Sequence, residues 1–218
     1  MMNTVNVKFY SPAEERINIT SHALGLILSV IALVLLVARA AMYGNVWHII
    51  SFSIFGLSLI MLYAASTLYH SSKDAKLRSR LRIVDHATIY ILIAGTYTPF
   101  TLVTLNGFTG WWIFGVTWGL ALTGIILKLF FTGRFEIAST LMYVFMGWVI
   151  VFAIEPLVNS FSTEGIAWLV AGGIAYTLGA ILYGVRIMKY NHATFHVFVL
   201  IGSAMHFVSV FFYVLPSS

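Results

Sequence analysis

Two polar pairs stand four residues apart in sequence that is otherwise apolar: Ser66 with His70, and His192 with His196. A spacing of four puts each pair on one face of a helix. Asp85 adds a carboxylate, and Glu15, Asn18 and His22 recur at helical spacing nearer the start. Two histidines at i, i+4 can turn both rings to one ion, as on the helices of zinc proteases. Zinc accepts nitrogen and oxygen donors in a tetrahedral array, and its catalytic sites keep one position for water. The chain has no cysteine, which excludes thiolate ligands, disulfides and cysteine nucleophiles. Any metal must therefore be held by His, Asp or Glu.

The elements that carry these residues follow from composition. Hydrophobic residues make up 60% of the 218, and charged residues 9%, against roughly 25% in a soluble domain. Mean hydropathy is +0.94. Such a chain uses lipid as its solvent, and a soluble globular enzyme, a disordered protein and a coiled coil are excluded. Seven apolar runs can be read: Ile19–Met42, Val46–His70, Ile83–Leu105, Trp111–Phe131, Ile137–Val158, Ile166–Met188 and Ala193–Leu215. They are too long and too uniformly apolar for membrane strands, so the fold expected is an all-α seven-transmembrane helical bundle. Residues 1–218 read as a single domain, with 1–18 a polar tail and no cleavable signal peptide. In that tail Ser11 reads as a helix cap, Pro12 as the first helical residue and Glu14 as the closing member of a capping box. A short interfacial helix is expected there. Pro99 is expected to bend the third span. Gly115 and Gly119, and the small residues Ala171, Ala175 and Gly179, are expected to mark close helix contacts.

Basic residues set the orientation. Eleven of the twelve lie in the tail (Lys8, Arg16) or at the second, fourth and sixth connections (Lys73, Lys76, Arg78, Arg80, Arg82, Lys128, Arg134, Arg186, Lys189), leaving Arg39 on the other side. The positive-inside rule then places the N-terminus in the cytoplasm and the C-terminus outside. That is opposite to G-protein-coupled receptors. The last span also has no Lys for a retinal Schiff base. The net charge of +5 is accounted for by anionic lipid headgroups, with no nucleic-acid partner implied.

Orientation also aligns the polar residues. Span two ends at the cytoplasmic face with His70, span three begins there with Asp85, and span seven begins there with His192 and His196. Ser66 lies about 6 Å deeper than His70 at 1.5 Å per residue. Three imidazoles at one depth suit a zinc ion; the plainer alternative is that they hydrogen-bond across helices. His206, about 15 Å further along its helix than His196, is too far to share that metal. It reads as an interhelical hydrogen-bonding residue. His48 reads as an interface residue, His86 as structural or supporting, and His22 as packing against the site. Glu155, beside Pro156, reads as a helix-end acid.

Glu15-x2-Asn18-x3-His22, Ser66-Thr67-Leu68-Tyr69-His70 with Asp85-His86, and His192-x3-His196 together resemble the three motifs of the hemolysin III branch of the progestin and adipoQ receptor (PAQR) family. The run from Asp85 to Phe100 is similar to bacterial members. The resemblance implies that His70, His192 and His196 hold zinc, that Asp85 is linked to it through water, and that Ser66 lies beside it. It further implies kinship with ceramidase-like metal-dependent hydrolases of lipid amides, and a place in the bacterial plasma membrane and its lipid homeostasis. On this reading Asp85 is a general base, Ser66 orients water or donates to the oxyanion, and an acyl lipid is the substrate. Two rival expectations stand beside it: a membrane-state sensor with structural zinc, and a pore-forming haemolysin. A transporter is disfavoured by the single polar cluster and the lack of a repeat.

Overall fold

The computed structural model describes residues 7–185 and 189–215. Arg186, Met188 at the expected end of the sixth run, and the first six residues of the tail lie outside these. Every element among the described residues is helical, and seven are long and apolar enough to cross a membrane. Helix α1 is Pro12–Tyr43, α2 Val46–Ser71, α3 Ala75–Pro99, α4 Gly107–Phe131, α5 Glu136–Gly147, α6 Ile154–Ser160, α7 Thr163–Val185 and α8 Asn191–Ser209. The fifth span, Glu136–Ser160, is a composite of α5, a 3-10 turn at Val149–Ala153, and α6. Helix α2 packs between α1 and α3, α7 packs on α8, and α8 returns to α1. With the ladder bonds satisfied inside each helix, every backbone can lie in hydrocarbon.

The first span starts earlier than hydropathy indicates. Ser11 accepts a hydrogen bond from the Glu14 backbone N–H at 3.3 Å and Pro12 takes the first turn, as expected. The rest of the capping box is absent: Glu14 turns inward and its Oε1 is buried with no partner. The expected interfacial helix is not a separate element, because α1 runs unbroken from Pro12 to Tyr43. Helix α3 likewise begins two turns before Ile83, at Ala75, where Asp74 caps it by accepting from the Leu77 N–H at 2.7 Å. Arg78, Arg80 and Arg82 therefore lie on a helix and not in a loop. Basic side chains lower the hydropathy of a helical stretch without weakening its backbone preference.

Pro99 does mark a change in α3. Beyond it the chain widens into a π turn at Phe100–Thr104, closed by the Leu105 N–H to Phe100 C=O bond of 2.7 Å. Proline offers no N–H to the α ladder, and the wider turn takes up the register change.

The break in the fifth span is stabilised from α3. The Tyr97 hydroxyl donates to Gly147 C=O at 2.8 Å and accepts from the Ile150 N–H at 3.0 Å. One side chain so satisfies two backbone groups that the 3-10 turn leaves unpaired. Tyr97→Phe strands both in an apolar setting, where each buried unpaired group costs about 1–3 kcal/mol. The expected result is a lower thermal midpoint in detergent, with helix content unchanged by far-UV circular dichroism.

Small residues divide into two classes. Gly172 lies against the His206 ring, where a Cβ would overlap it, so close approach of α7 and α8 requires glycine there. Gly115 and Gly119 have open space around them, which corrects their expected role in packing within the chain. The buried face of α4 is instead Ile113, Thr117, Ala121, Gly124 and Lys128.

Candidate metal centre

The N-terminal ends of α1, α3 and α8 and the C-terminal end of α2 meet at one end of the bundle. There His70, His192 and His196, all buried, place one ring nitrogen each within 4.8 Å of the others. Nε2 of His70 and Nε2 of His192 are 3.1 Å apart. Two nitrogens on a tetrahedral zinc are separated by about 3.3 Å, given bonds of about 2.05 Å. The His192 and His196 rings are 4.5 Å apart between centroids, and each lies about as far from His70, at 5.0 and 4.9 Å. Nδ1 of both His192 and His196 is buried without a hydrogen-bond partner. Three buried imidazoles that each bring one ring nitrogen to a common point fit a metal ion.

Glu15 fixes the chemistry of His70. Its Oε2 accepts from His70 Nδ1–H at 2.7 Å, which leaves Nε2 with its lone pair directed at His192. Carboxylates commonly orient metal-binding histidines in this way. The Asn18 side-chain nitrogen lies 3.4 Å from the same His70 nitrogen. His22 stacks on His196 with centroids 3.6 Å apart and planes 13° from parallel. All three residues of the first motif thus touch a histidine of the triad.

Arg78 holds Glu15 in turn. Its Nη2 ion-pairs with Glu15 Oε1. Nη1 donates to the C=O groups of Tyr69, His70 and Ser72 at 3.2, 3.2 and 3.1 Å, and Nε donates to Lys8 C=O at 3.1 Å. These include carbonyls of the last turn of α2, where a cation is favoured. Arg78 is 1% exposed, so its expected role against lipid headgroups is corrected to an internal one. The segment before α1 closes over the site. Tyr10 stacks on His192 at 4.5 Å and 9°, and burial pushes its phenol pKa upward, keeping it neutral. Tyr10 carried no motif signal; only its place just before the Ser11 cap hinted that it would reach this end.

Ser66 and Asp85 line one cavity with His22, His192 and His196. Asp85 is 8% exposed, and Ser66 Oγ is buried beside it. The cavity continues away from the histidines between α3, the fifth span and α7, past Ile89, Ile93, Tyr97 and Trp148. Its walls are mainly apolar.

His206 makes the interhelical hydrogen bond expected of it, His48 lies in the first turn of α2, and His86 lines the cavity. His206 Nε2 donates to Leu169 C=O at 3.0 Å, bridging α8 and α7. His48 bonds Asn45 at the exposed start of α2, with 3.0 Å between its Nδ1 and the Asn45 side-chain oxygen. The His86 carbonyl accepts from Tyr143. Glu155 lies in the first turn of α6.

A family profile described as haemolysin-III related matches residues 10–207. The chain belongs to the haemolysin III family. It is 47% identical to Hemolysin-3 of Bacillus cereus over 94% of either chain. It is also 47% identical to the Hemolysin-3 homolog of Bacillus subtilis, over 92% of this chain and 94% of that one. At greater distance, the human monocyte to macrophage differentiation factor is 27% identical over 95% of this chain and 88% of its own. Seven apolar helices and these relatives make this haemolysin III family member a multi-pass membrane protein, consistent with a bacterial plasma membrane.

Proposed function

We propose that the chain is a zinc-dependent hydrolase of lipid amide or ester bonds, working at the cytoplasmic side of the membrane in membrane lipid homeostasis. The observation that carries this reading is the convergence of His70, His192 and His196 at one end of an apolar cavity that Asp85 and Ser66 also line. The three imidazoles would hold the ion, and bound zinc supplies a Lewis acid and a water ionisable near neutral pH. Glu15 keeps His70 in the ligating tautomer through Nδ1–H. Asp85 takes the proton from the attacking water and returns it to the leaving group. Ser66 Oγ, buried on the cavity wall beside Asp85, donates to the developing oxyanion. Such a donor is worth about 2.7–4 kcal/mol of barrier. The apolar walls receive an acyl chain, so membrane lipids are the partners and an acyl lipid is the substrate. No nucleic acid enters this reading.

The test is zinc content and turnover on one set of samples. Purified wild type should carry near-stoichiometric zinc and cleave a member of a panel of lipid amides and esters. Asp85→Asn should retain zinc and lose turnover by about 10²–10⁴-fold, the usual contribution of a general base. Wild type that carries no zinc after metal-replete expression overturns the reading. If zinc is present but no acyl lipid is cleaved, a structural role remains, with the ion tying α2 to α8. The relatives' name supports a lytic reading. Lysis by detergent-free protein that His70→Ala abolishes would favour it.

A further inference from the structure

The cavity has a second polar end that the histidines do not use. On α5, Glu136, Ser139, Thr140 and Tyr143 follow helical spacing and all line it. Opposite them, at the end of α4, Lys128 lines it too. Its ammonium donates to Ser139 Oγ at 2.7 Å. Lys128 is 3% exposed, and among the described residues no carboxylate ion-pairs with it. Glu136 ion-pairs instead with Arg82 at 2.7 Å, and Arg82 is itself 7% exposed. Two buried cations therefore accompany one carboxylate here, with Lys128 and Glu136 on the cavity wall and Arg82 behind Glu136. A buried charge is costly unless it is paired, and a neutral hydroxyl does not pair it.

Snorkelling does not account for Lys128. A lysine near a helix end normally extends to the interface and leaves its head in water. This one is buried and lines the largely apolar space of the cavity, with its ammonium on Ser139 Oγ. That space runs beside α3 from Asp85 to Phe100, about 22 Å at 1.5 Å per residue. A cation at the mouth of a long apolar cavity, at the end that carries the basic connections, matches an amphiphile with an anionic head. Basic pockets between membrane helices on that side take phosphate-bearing lipid headgroups, and lysine serves phosphate as a point charge. The geometry points to a lipid-phosphate subsite: Lys128 and Ser139 hold the phosphate, the Arg82–Glu136 pair adjoins it, and one acyl chain enters the cavity. This goes beyond the hydrolase reading, because binding there requires neither metal nor turnover.

The experiment compares full-length protein in neutral detergent binding lysophosphatidic acid and monooleoylglycerol, which share glycerol and chain and differ in the phosphate. Wild type should bind the phosphate form at least tenfold tighter than the alcohol, and inorganic phosphate much more weakly than lysophosphatidic acid. Lys128→Met should erase the preference, and Glu136→Gln should strengthen phosphate-lipid binding at least threefold by removing a competing anion. That gain has the opposite sign to damage, so it decides the matter even if Lys128→Met fails to fold. His192→Ala should keep the preference. Equal affinity for the two lipids in wild type, a preference surviving Lys128→Met, or no gain in Glu136→Gln overturns the proposal. Inorganic phosphate binding as tightly as the lipid overturns the lipid assignment. A preference lost in His192→Ala and kept in Lys128→Met moves the headgroup to the histidines. That would overturn this subsite and leave the metal centre standing.

Discussion

His192→Ala is expected to reduce bound metal from about one ion per chain to near zero after dialysis against a chelator. His192 and His70 oppose ring nitrogens at 3.1 Å, and His196 is the third donor. Two imidazoles cannot complete the three-donor set that holds zinc in most catalytic sites. Elemental analysis measures this directly. The matched control is His206→Ala, on the same helix, where the ring only bonds Leu169 C=O. That variant should keep its metal and lose only stability. Metal retained in His192→Ala, or lost equally in both variants, would mean that the triad is not the site.

The second large effect is expected from Arg78→Met. This side chain fills similar volume, yet removes the ion pair to Glu15 and the bonds to four backbone carbonyls. Breaking one side of a buried pair costs about 3–5 kcal/mol, because the other charge stays behind without compensation. Glu15 is only partly buried, so water recovers some of that loss. Two readouts should move together: a thermal midpoint well below wild type, and weaker metal binding as Glu15 loses its hold on His70. Supporting residues of this kind usually change metal affinity by about 10–100-fold. A variant that unfolds early but binds metal as wild type would separate Arg78 from the site and leave it a helix cap.

Much of this arrangement was legible in residue order. Seven apolar runs imply seven spans because a backbone in lipid must satisfy itself. The i, i+4 pairs Ser66/His70 and His192/His196 share helix faces for the same geometric reason. Consecutive spans alternate in direction, so the end of the second and the starts of the third and seventh bring Asp85 and the three histidines to one side. Other features escaped. The basic start of α3 reads as a loop by hydropathy, although Asp74 caps it as a helix. Arg78 reads as a headgroup contact, since composition does not show which way a side chain turns. Lys128 reads as one more interfacial cation, and Ser139 as nothing at all. The break in the fifth span was invisible because its stabilising partner, Tyr97, is on another helix.

The sequence by itself determined the solvent, the number of spans, the set of metal-competent residues and the depth they share. Each of these follows from local rules: hydropathy, helical periodicity and charge along the chain. Only the tertiary structure decided that the imidazoles of α2 and α8 face one another. It also put the Glu15 carboxylate against His70, and lined the same cavity with a buried lysine whose ammonium bonds Ser139. Those outcomes depend on how helices rotate about their own axes as they pack. Rotation is set by the sum of many side-chain contacts between residues far apart in sequence, and no short stretch of sequence contains it.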